Sequence, residues 1–239
     1  MSTKAKKQGL PAGRQVAIFD IDGTIFRSSV LIALTDELIA RKIFPAQATK
    51  EFERDHTRWL DRQGDYERYI KSVVETYMRY IKGVEYSKLA DVAESMALKH
   101  RDRTYRFTRE LIVELKRKGY YLLAISQSPK TVLDFICRRY GFDKVYGRIY
   151  ELGPQNKFTG NILDLHLIAN KANVVKRAVE KENLTLKGSV AVGDTEDDVP
   201  MLELVERAIA FNPNQKLYKH AKRMGWEIVV ERKDVIYKL

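Results

Sequence analysis

Apolar and polar positions change period several times along the chain. Val16-Ala17-Ile18-Phe19 is a short apolar run with β-branched and aromatic character, and Asp20-Ile21-Asp22-Gly23-Thr24 follows it. That order predicts a buried strand running into a loop. From about Ser29 to His100 the spacing becomes helical. Leu31, Leu34, Leu38 and Ile39 form one stripe, closed near Pro45; Phe52, His56, Trp59 and Leu60 form a second. Tyr66, Tyr69, Ile70, Val73, Val74, Tyr77 and Ile81 form a third that ends at Gly83, and a fourth helix is expected from Ser87 toward His100. These stripes read as packing faces of an all-helical insertion.

Strand and helix signals then alternate. A helix is expected around Thr104–Lys118, stopped by Gly119, followed by a strand over Tyr120–Ser126 and a helix from Pro129 to Tyr140. Val145–Glu151 and Phe158–Ile162 read as two strands joined by Gly-Pro-Gln-Asn. A helix from Lys171 to Glu182 leads to a strand at Ser189–Val192, then a helix at Asp197–Val205 and a strand at Arg207–Phe211. A helix near Asn214–Met224 and a strand at Glu227–Val230 close the series. Such alternation predicts an α/β fold with a doubly wound, mostly parallel, Rossmann-like sheet, and an all-helical cap inserted after the first strand. The expected division is a basic tail at 1–14, an α/β core at 15–28 and 101–239, and the helical cap at 29–100.

Composition narrows the class. The chain has 239 residues, 44% of them hydrophobic and 31% charged, which suits a folded protein. No apolar run approaches the roughly 20 residues of a membrane-spanning helix, and the N-terminus lacks a secretory apolar core, so no membrane partner and a cytoplasmic location are expected. Cys137 is the only cysteine, which leaves no internal disulfide or cysteine-based zinc site; its apolar neighbours predict a buried thiol. His56, His100, His166 and His220 lack HExxH spacing and are read as surface or packing residues. The formal charge of +11 admits a nucleic-acid binder, but Lys and Arg are spread over many segments, apart from Lys4, Lys6 and Lys7. No RNA-binding aromatic signature accompanies them, so a small-molecule phosphate ester is preferred to nucleic acid as partner.

In open parallel sheets, ligands bind beyond the carboxyl ends of the strands. Asp20 and Asp22 end the first predicted strand, Ser126 the second, and Gly193-Asp194 the third, with Asp198 just beyond and Lys171 opening the preceding helix. Phosphate-ester hydrolysis needs these groups. One carboxylate, Asp20, can attack phosphorus, while Asp22 protonates the leaving oxygen and later activates water. Mg²⁺, held by Asp20, Asp194 and a backbone carbonyl, would offset the gathered negative charge. Lys171 would neutralise the transferring group, with Lys157 and Lys176 as nearby alternatives. Thr24 and Ser126 hydroxyls would hold phosphate oxygens, and Gly23 would let the backbone approach them. Ser126 could instead cap a helix, Asp22-Gly23 could be a plain turn, and Asp197 is left out as a helix-start acid.

Asp20-Ile-Asp-Gly-Thr, Ser126 after Leu-Leu-Ala-Ile, Lys171, and Gly193-Asp194-Thr-Glu-Asp-Asp198-Val-Pro-Met-Leu resemble the four ordered motifs of the haloacid dehalogenase-like hydrolase superfamily. A helical cap between the first and second motifs resembles its phosphoserine-phosphatase-like branch. The resemblance implies a Mg²⁺-dependent phosphatase with Asp20 as nucleophile, Asp22 as general acid/base, and Ser126 and Lys171 stabilising phosphate. Asp194 would bind metal, and Asp198 would bind or orient it, which makes the metal set Asp20, Asp22, Asp194 and Asp198. Gly23, Thr24, Ser126, Gln127 and Arg27 complete the candidate substrate-binding set. Phosphoserine phosphatases usually carry a glutamate after the first motif, whereas here Phe26-Arg27-Ser28-Ser29-Val30 holds no acid before Asp36. An anionic or neutral substrate is therefore expected in preference to phosphoserine. The competing expectation is a catalytically silent basic module that binds nucleic acid or phosphorylated ligands on the same fold.

Overall fold

The computed structural model describes residues 13–239. Residues 1–12 of the expected basic tail, Lys4, Lys6 and Lys7 among them, lie outside the described residues. Arg14, assigned to that tail, instead opens β1 (Arg14–Phe19). Its guanidinium is fastened to the carbonyls of Gly119 and Tyr120 and to Asp143. Four helices follow: α1 (Val30–Ala40), α2 (Ala48–Leu60), α3 (Tyr66–Ile81) and α4 (Tyr86–Lys99). The remaining chain is α5 (Arg106–Arg117), β2 (Tyr121–Pro129), α6 (Lys130–Arg138), β3 (Lys144–Leu152) and β4 (Phe158–Leu163). It continues with α7 (Leu165–Ile168), α8 (Lys171–Lys181), β5 (Leu184–Gly193) and α9 (Val199–Leu202). It ends with β6 (Arg207–Phe211), α10 (Gln215–Met224), β7 (Glu227–Arg232) and β8 (Val235–Lys238).

The eight strands form one sheet in the order β4-β3-β2-β1-β5-β6-β7-β8. Pairing is parallel from β3 through β7 and antiparallel at the two edges, β3–β4 and β7–β8. Alternation within β1 explains why its run is wholly apolar: Ala17 and Phe19 enter the core on one face, Val16 and Ile18 the core on the other. Strands covered on both sides need no polar face. The four-helix segment shares the first of these cores, where Leu34, Phe44, Phe52, Val73, Tyr77 and Met96 join Phe19, Leu122 and Val192. One continuous apolar mass therefore holds the helices against the C-terminal edge of the sheet.

Several elements depart from the sequence-based expectation. β5 starts at Leu184, five residues before the expected Ser189, because the ladder to β1 resumes across an irregularity near Gly188, whose φ is +72°. The helix expected over Asp197–Val205 is a single 3₁₀ turn, Glu196–Asp198, running into the short α9. Neither β8 nor α7 was expected; β8 folds back on β7 across Lys233, which adopts a left-handed φ of 44°. No helix among the described residues is long and apolar enough to cross a membrane.

Candidate active site

β1 and β5 are neighbours in the sheet, so the residues that follow them meet. Asp20 donates its backbone N–H to the Val192 carbonyl at 3.0 Å, which fixes the first loop against β5. Asp20, Asp194 and Asp198 each bring one carboxylate oxygen to within 4.8 Å of the others. Lys171, the first residue of α8 after the N-cap Asn170, is buried among them. Its ammonium donates to Oδ1 of Asp20 at 2.6 Å and to Oδ1 of Asp198 at 2.5 Å. The alternatives to it lie elsewhere: Lys157 bonds Gln155 at the surface, and Lys176 is exposed on α8.

Electrostatics follow from that crowding. Three carboxylates face one ammonium, so the cluster is short of positive charge. Burial raises Asp20 from 3.8 to about 8; Lys171 pulls the other way, while Asp198 and Asp22 push with burial. Asp194 is likewise raised well above its ordinary value, first by burial and then by Asp20 and Asp198. Burial opposes the Lys171 charge, but Asp198 and Asp20 overcome it and shift that ammonium upward. Oδ2 of Asp20 is buried without a hydrogen-bond partner. An orphaned carboxylate oxygen in an acid-rich, oxygen-only cluster fits a hard divalent cation.

Asp198 has little left to offer a metal. Its second oxygen accepts the backbone N–H groups of Asp194 (2.9 Å) and Thr195 (3.1 Å), while its first holds Lys171. The geometry makes it the clamp that shapes the loop after β5. Asp197 beside it is exposed, in keeping with its omission. Asp22 stands outside the group of three carboxylates. Its carboxylate instead accepts Ser126 Oγ (2.5 Å), Ser128 Oγ (3.0 Å) and the Val30 N–H at the start of α1 (2.6 Å). Ser126 is buried and also accepts the Ser128 N–H, which joins the end of β2 to the first loop.

The substrate-binding set is partly redrawn. Gly23 uses its N–H on the carbonyls of Phe26 and Ser28, so that donor is not free for phosphate. What the position requires is space. Its φ is +77°, and a Cβ there would lie 1.9 Å from Oδ2 of Asp194. The Thr24 hydroxyl is buried without a partner, beside the loop, while its carbonyl accepts Thr108 Oγ1 of α5 at 3.0 Å. Arg27 does not face the acidic cluster. Its guanidinium bonds the Thr104 carbonyl (2.9 Å) and Glu231 on β7 (2.5 Å), and it stacks over Tyr105. Glu231 also accepts the N–H groups of Arg106 and Phe107, so Arg27 completes the cap of α5. Gln127 turns its carbonyl oxygen to Arg148 Nη2 of β3 at 2.5 Å.

Two residues escaped sequence reasoning. Tyr66, at the start of α3, lies near the first loop: burial first, then the charges of Asp22 and Asp194, raise its phenol. Lys216, in the first turn of α10, bridges Glu196 after β5 (2.6 Å) and Glu67 on α3 (3.4 Å). Lys216 thereby links the helical segment to the loop after β5. The aromatic stripe behind Tyr66 packs as expected, with Trp59 5.4 Å away and His56 stacked 4.8 Å from Tyr69. Cys137 is buried, and burial pushes its thiol up, consistent with an inert packing role.

Comparison with known proteins agrees with this arrangement. The family model for haloacid dehalogenase-like hydrolases matches residues 17–203. A phosphoserine phosphatase of Mycobacterium tuberculosis is 28% identical over 214 residues, 89% of this chain and 69% of that protein. A histidinol-phosphatase of Neisseria meningitidis is 25% identical over 225 residues, covering 90% of this chain and 98% of that one. A solved phosphoserine phosphatase bearing a phospho-aspartyl intermediate analogue shares the fold with a TM-score of 0.61 at 20% identity, over 93% of this chain and 95% of that one.

Proposed function

Because the chain belongs to the haloacid dehalogenase-like hydrolase family, we propose that it hydrolyses a small-molecule phosphomonoester through an aspartyl-phosphate on Asp20. The observation that carries the reading is the pair of oxygens on that side chain: Oδ1 held by Lys171, Oδ2 buried and free of partners. One oxygen fixed and one unengaged is the arrangement a carboxylate nucleophile needs. Relatives named for phosphoserine and for histidinol phosphate support a small phosphomonoester as the substrate class.

Asp20 and Asp194 would hold Mg²⁺, while Asp198 positions Lys171 and the loop after β5. When bound, the ion supplies the positive charge that lets two carboxylates and a phosphate dianion share one site. The other steps belong to the chain itself. A carboxylate oxygen of Asp20 bonds to phosphorus as the ester oxygen leaves, and Asp22 gives that oxygen a proton. Asp22 then takes a proton from water as the water oxygen attacks phosphorus, which releases inorganic phosphate and restores Asp20. Lys171 stays on Asp20 and the transferring group throughout. The Ser126–Asp22 bond of the resting site yields as an incoming phosphate oxygen accepts the Ser126 hydroxyl, which frees Asp22 to turn toward the leaving group. The helices at 29–100 act as the cap, with Tyr66 and the Lys216 bridge closing it over the site and excluding water.

The test is release of p-nitrophenol from p-nitrophenyl phosphate. Mg²⁺-dependent release that EDTA stops, and that Asp20→Asn abolishes, is expected. No release by pure protein over a broad pH range would favour the silent binding module, and release that EDTA leaves untouched would reject the Mg²⁺ role.

A further inference from the structure

Three donors converge on Asp22, and they divide unevenly between its two oxygens. Among the described residues Oδ2 accepts only the Ser126 hydroxyl, at 2.5 Å. Oδ1 accepts the Ser128 hydroxyl at 3.0 Å and the Val30 N–H at 2.6 Å. Ser126 and Ser128 stand two residues apart on β2, so strand alternation turns both to one side, and both reach the same carboxylate. Ser128 is buried. A serine just ahead of a helix ordinarily serves as its cap. Here the N-cap of α6 is Pro129, with no side-chain cap bond, and the Ser128 hydroxyl is spent on Asp22 instead.

That division suits a carboxylate that must handle a proton. When phosphate takes the Ser126 hydroxyl, Oδ2 loses its donor and becomes the oxygen free to carry a proton. Oδ1 keeps two donors from different elements, one on β2 and one on the first residue of α1. Two bonds to one oxygen from different directions resist rotation of the carboxylate, so the other oxygen keeps its aim. With a single bond left, the group can swing. Misplacing a reacting group by about 1 Å can cost on the order of a hundredfold in rate.

We propose that Ser128 is a positioning residue for proton transfer: by holding Oδ1 it aims Oδ2 of Asp22 at the ester oxygen that leaves. This rests on the phosphatase reading above. The proton passes from Oδ2 to the ester oxygen as the bond from that oxygen to phosphorus breaks and the bond from Asp20 forms. Ser128 keeps its own proton throughout.

The experiment measures kcat/KM with Mg²⁺ for p-nitrophenyl, phenyl and p-methoxyphenyl phosphate and for β-glycerophosphate. That ratio reads every step up to departure of the leaving group. A p-nitrophenolate departs without a proton, whereas an alkoxide must be protonated. Ser128→Ala should lower the ratio less than about threefold on p-nitrophenyl phosphate and roughly tenfold to a hundredfold on β-glycerophosphate, as expected for a lost hydrogen bond to a charged group, with the other two esters between. Ser128→Thr, which keeps the hydroxyl, should restore most of the loss, and Ser128→Cys, a weaker donor, should fall between. In an Asp22→Ala background Ser128→Ala should add no further dependence on the leaving group. Thermal melting checks folding; if Ser128→Ala does not fold, the cysteine variant carries the comparison, with the same graded loss expected. An equal loss on all four esters would mean that Ser128 only shapes the end of β2, and would overturn the proposal. So would an undiminished rate on β-glycerophosphate, or a graded loss that persists without Asp22. Those outcomes leave the phosphatase reading standing; absence of wild-type turnover on every ester strikes that reading, and the proposal with it.

Discussion

Replacing Gly23 with alanine separates two effects that the fold couples at one position. An L side chain at φ +77° pays the left-handed backbone cost of about 1–2 kcal/mol. In addition, the new Cβ would lie 1.9 Å from Oδ2 and 2.7 Å from Cγ of Asp194, so that carboxylate must leave its place. Gly119 supplies the control. Its φ is +82° and nothing lies within 4 Å of a Cβ there, so Gly119→Ala carries the backbone cost alone. For a chain of this size each kcal/mol lowers the melting midpoint by roughly 2–4 °C. Gly119→Ala should therefore melt about 2–8 °C below wild type with its phosphatase activity intact. Gly23→Ala should melt at least as low, lose activity by roughly a hundredfold or more, as when a positioned charged group is displaced, and require more Mg²⁺ for half-maximal rate. Differential scanning fluorimetry and a Mg²⁺ titration of p-nitrophenyl phosphate hydrolysis read both quantities. If Gly23→Ala keeps wild-type Mg²⁺ dependence and rate, the placement of Asp194 against the first loop is wrong.

Three further outcomes follow from the same geometry. Lys171→Met leaves Asp20 and Asp198 buried without their ammonium; unfolding in urea at pH 7 should show a loss of about 3–5 kcal/mol together with loss of turnover, and a loss under 1 kcal/mol would deny the ion cluster. In metal-free protein Asp20 is raised from 3.8 to about 8, so across that window the folded chain keeps a proton that the unfolded chain has released. Stability from this group therefore falls as pH rises from 3.8 toward 8, and Mg²⁺, competing with that proton, should raise the melting midpoint more at pH 8 than at pH 5; equal shifts would refute this. Arg27→Gln removes the partner of Glu231 at the start of α5, and because Arg27 is 41% exposed the loss should be only about 1 kcal/mol by denaturant melts, with substrate preference unmoved.

Sheet and site were legible to different depths, for physical reasons. β1 declares itself because both its faces are covered, which forces a fully apolar run next to the first acidic loop. Four helices at 29–100 were readable because each stripe must meet a common core. β8 carried no such signal: Val235 and Tyr237 are 37% and 51% exposed, and its pairing depends on a turn at Lys233. Asp20, Asp194, Asp198 and Lys171 could be selected from their places at strand ends and a helix start, and the fold brings them together. Arg27 was placed by its nearness in sequence to the first acidic loop, whereas its observed partner is Glu231 on β7, a pairing no local pattern announces. Tyr66 was hidden inside a packing stripe, since periodicity tells which face is covered but not what covers its end.

Hydrolysis by the proposed route passes through a covalent bond between phosphorus and the side chain of residue 20. Rapid acid quench during turnover, borohydride reduction and mass spectrometry of the tryptic peptide covering residues 15–27 read it directly. Reduction of the acyl phosphate should leave homoserine at position 20 and none at position 22. Steady turnover with an unmodified Asp20 in the quenched protein, or with phosphate held on another side chain, would contradict it.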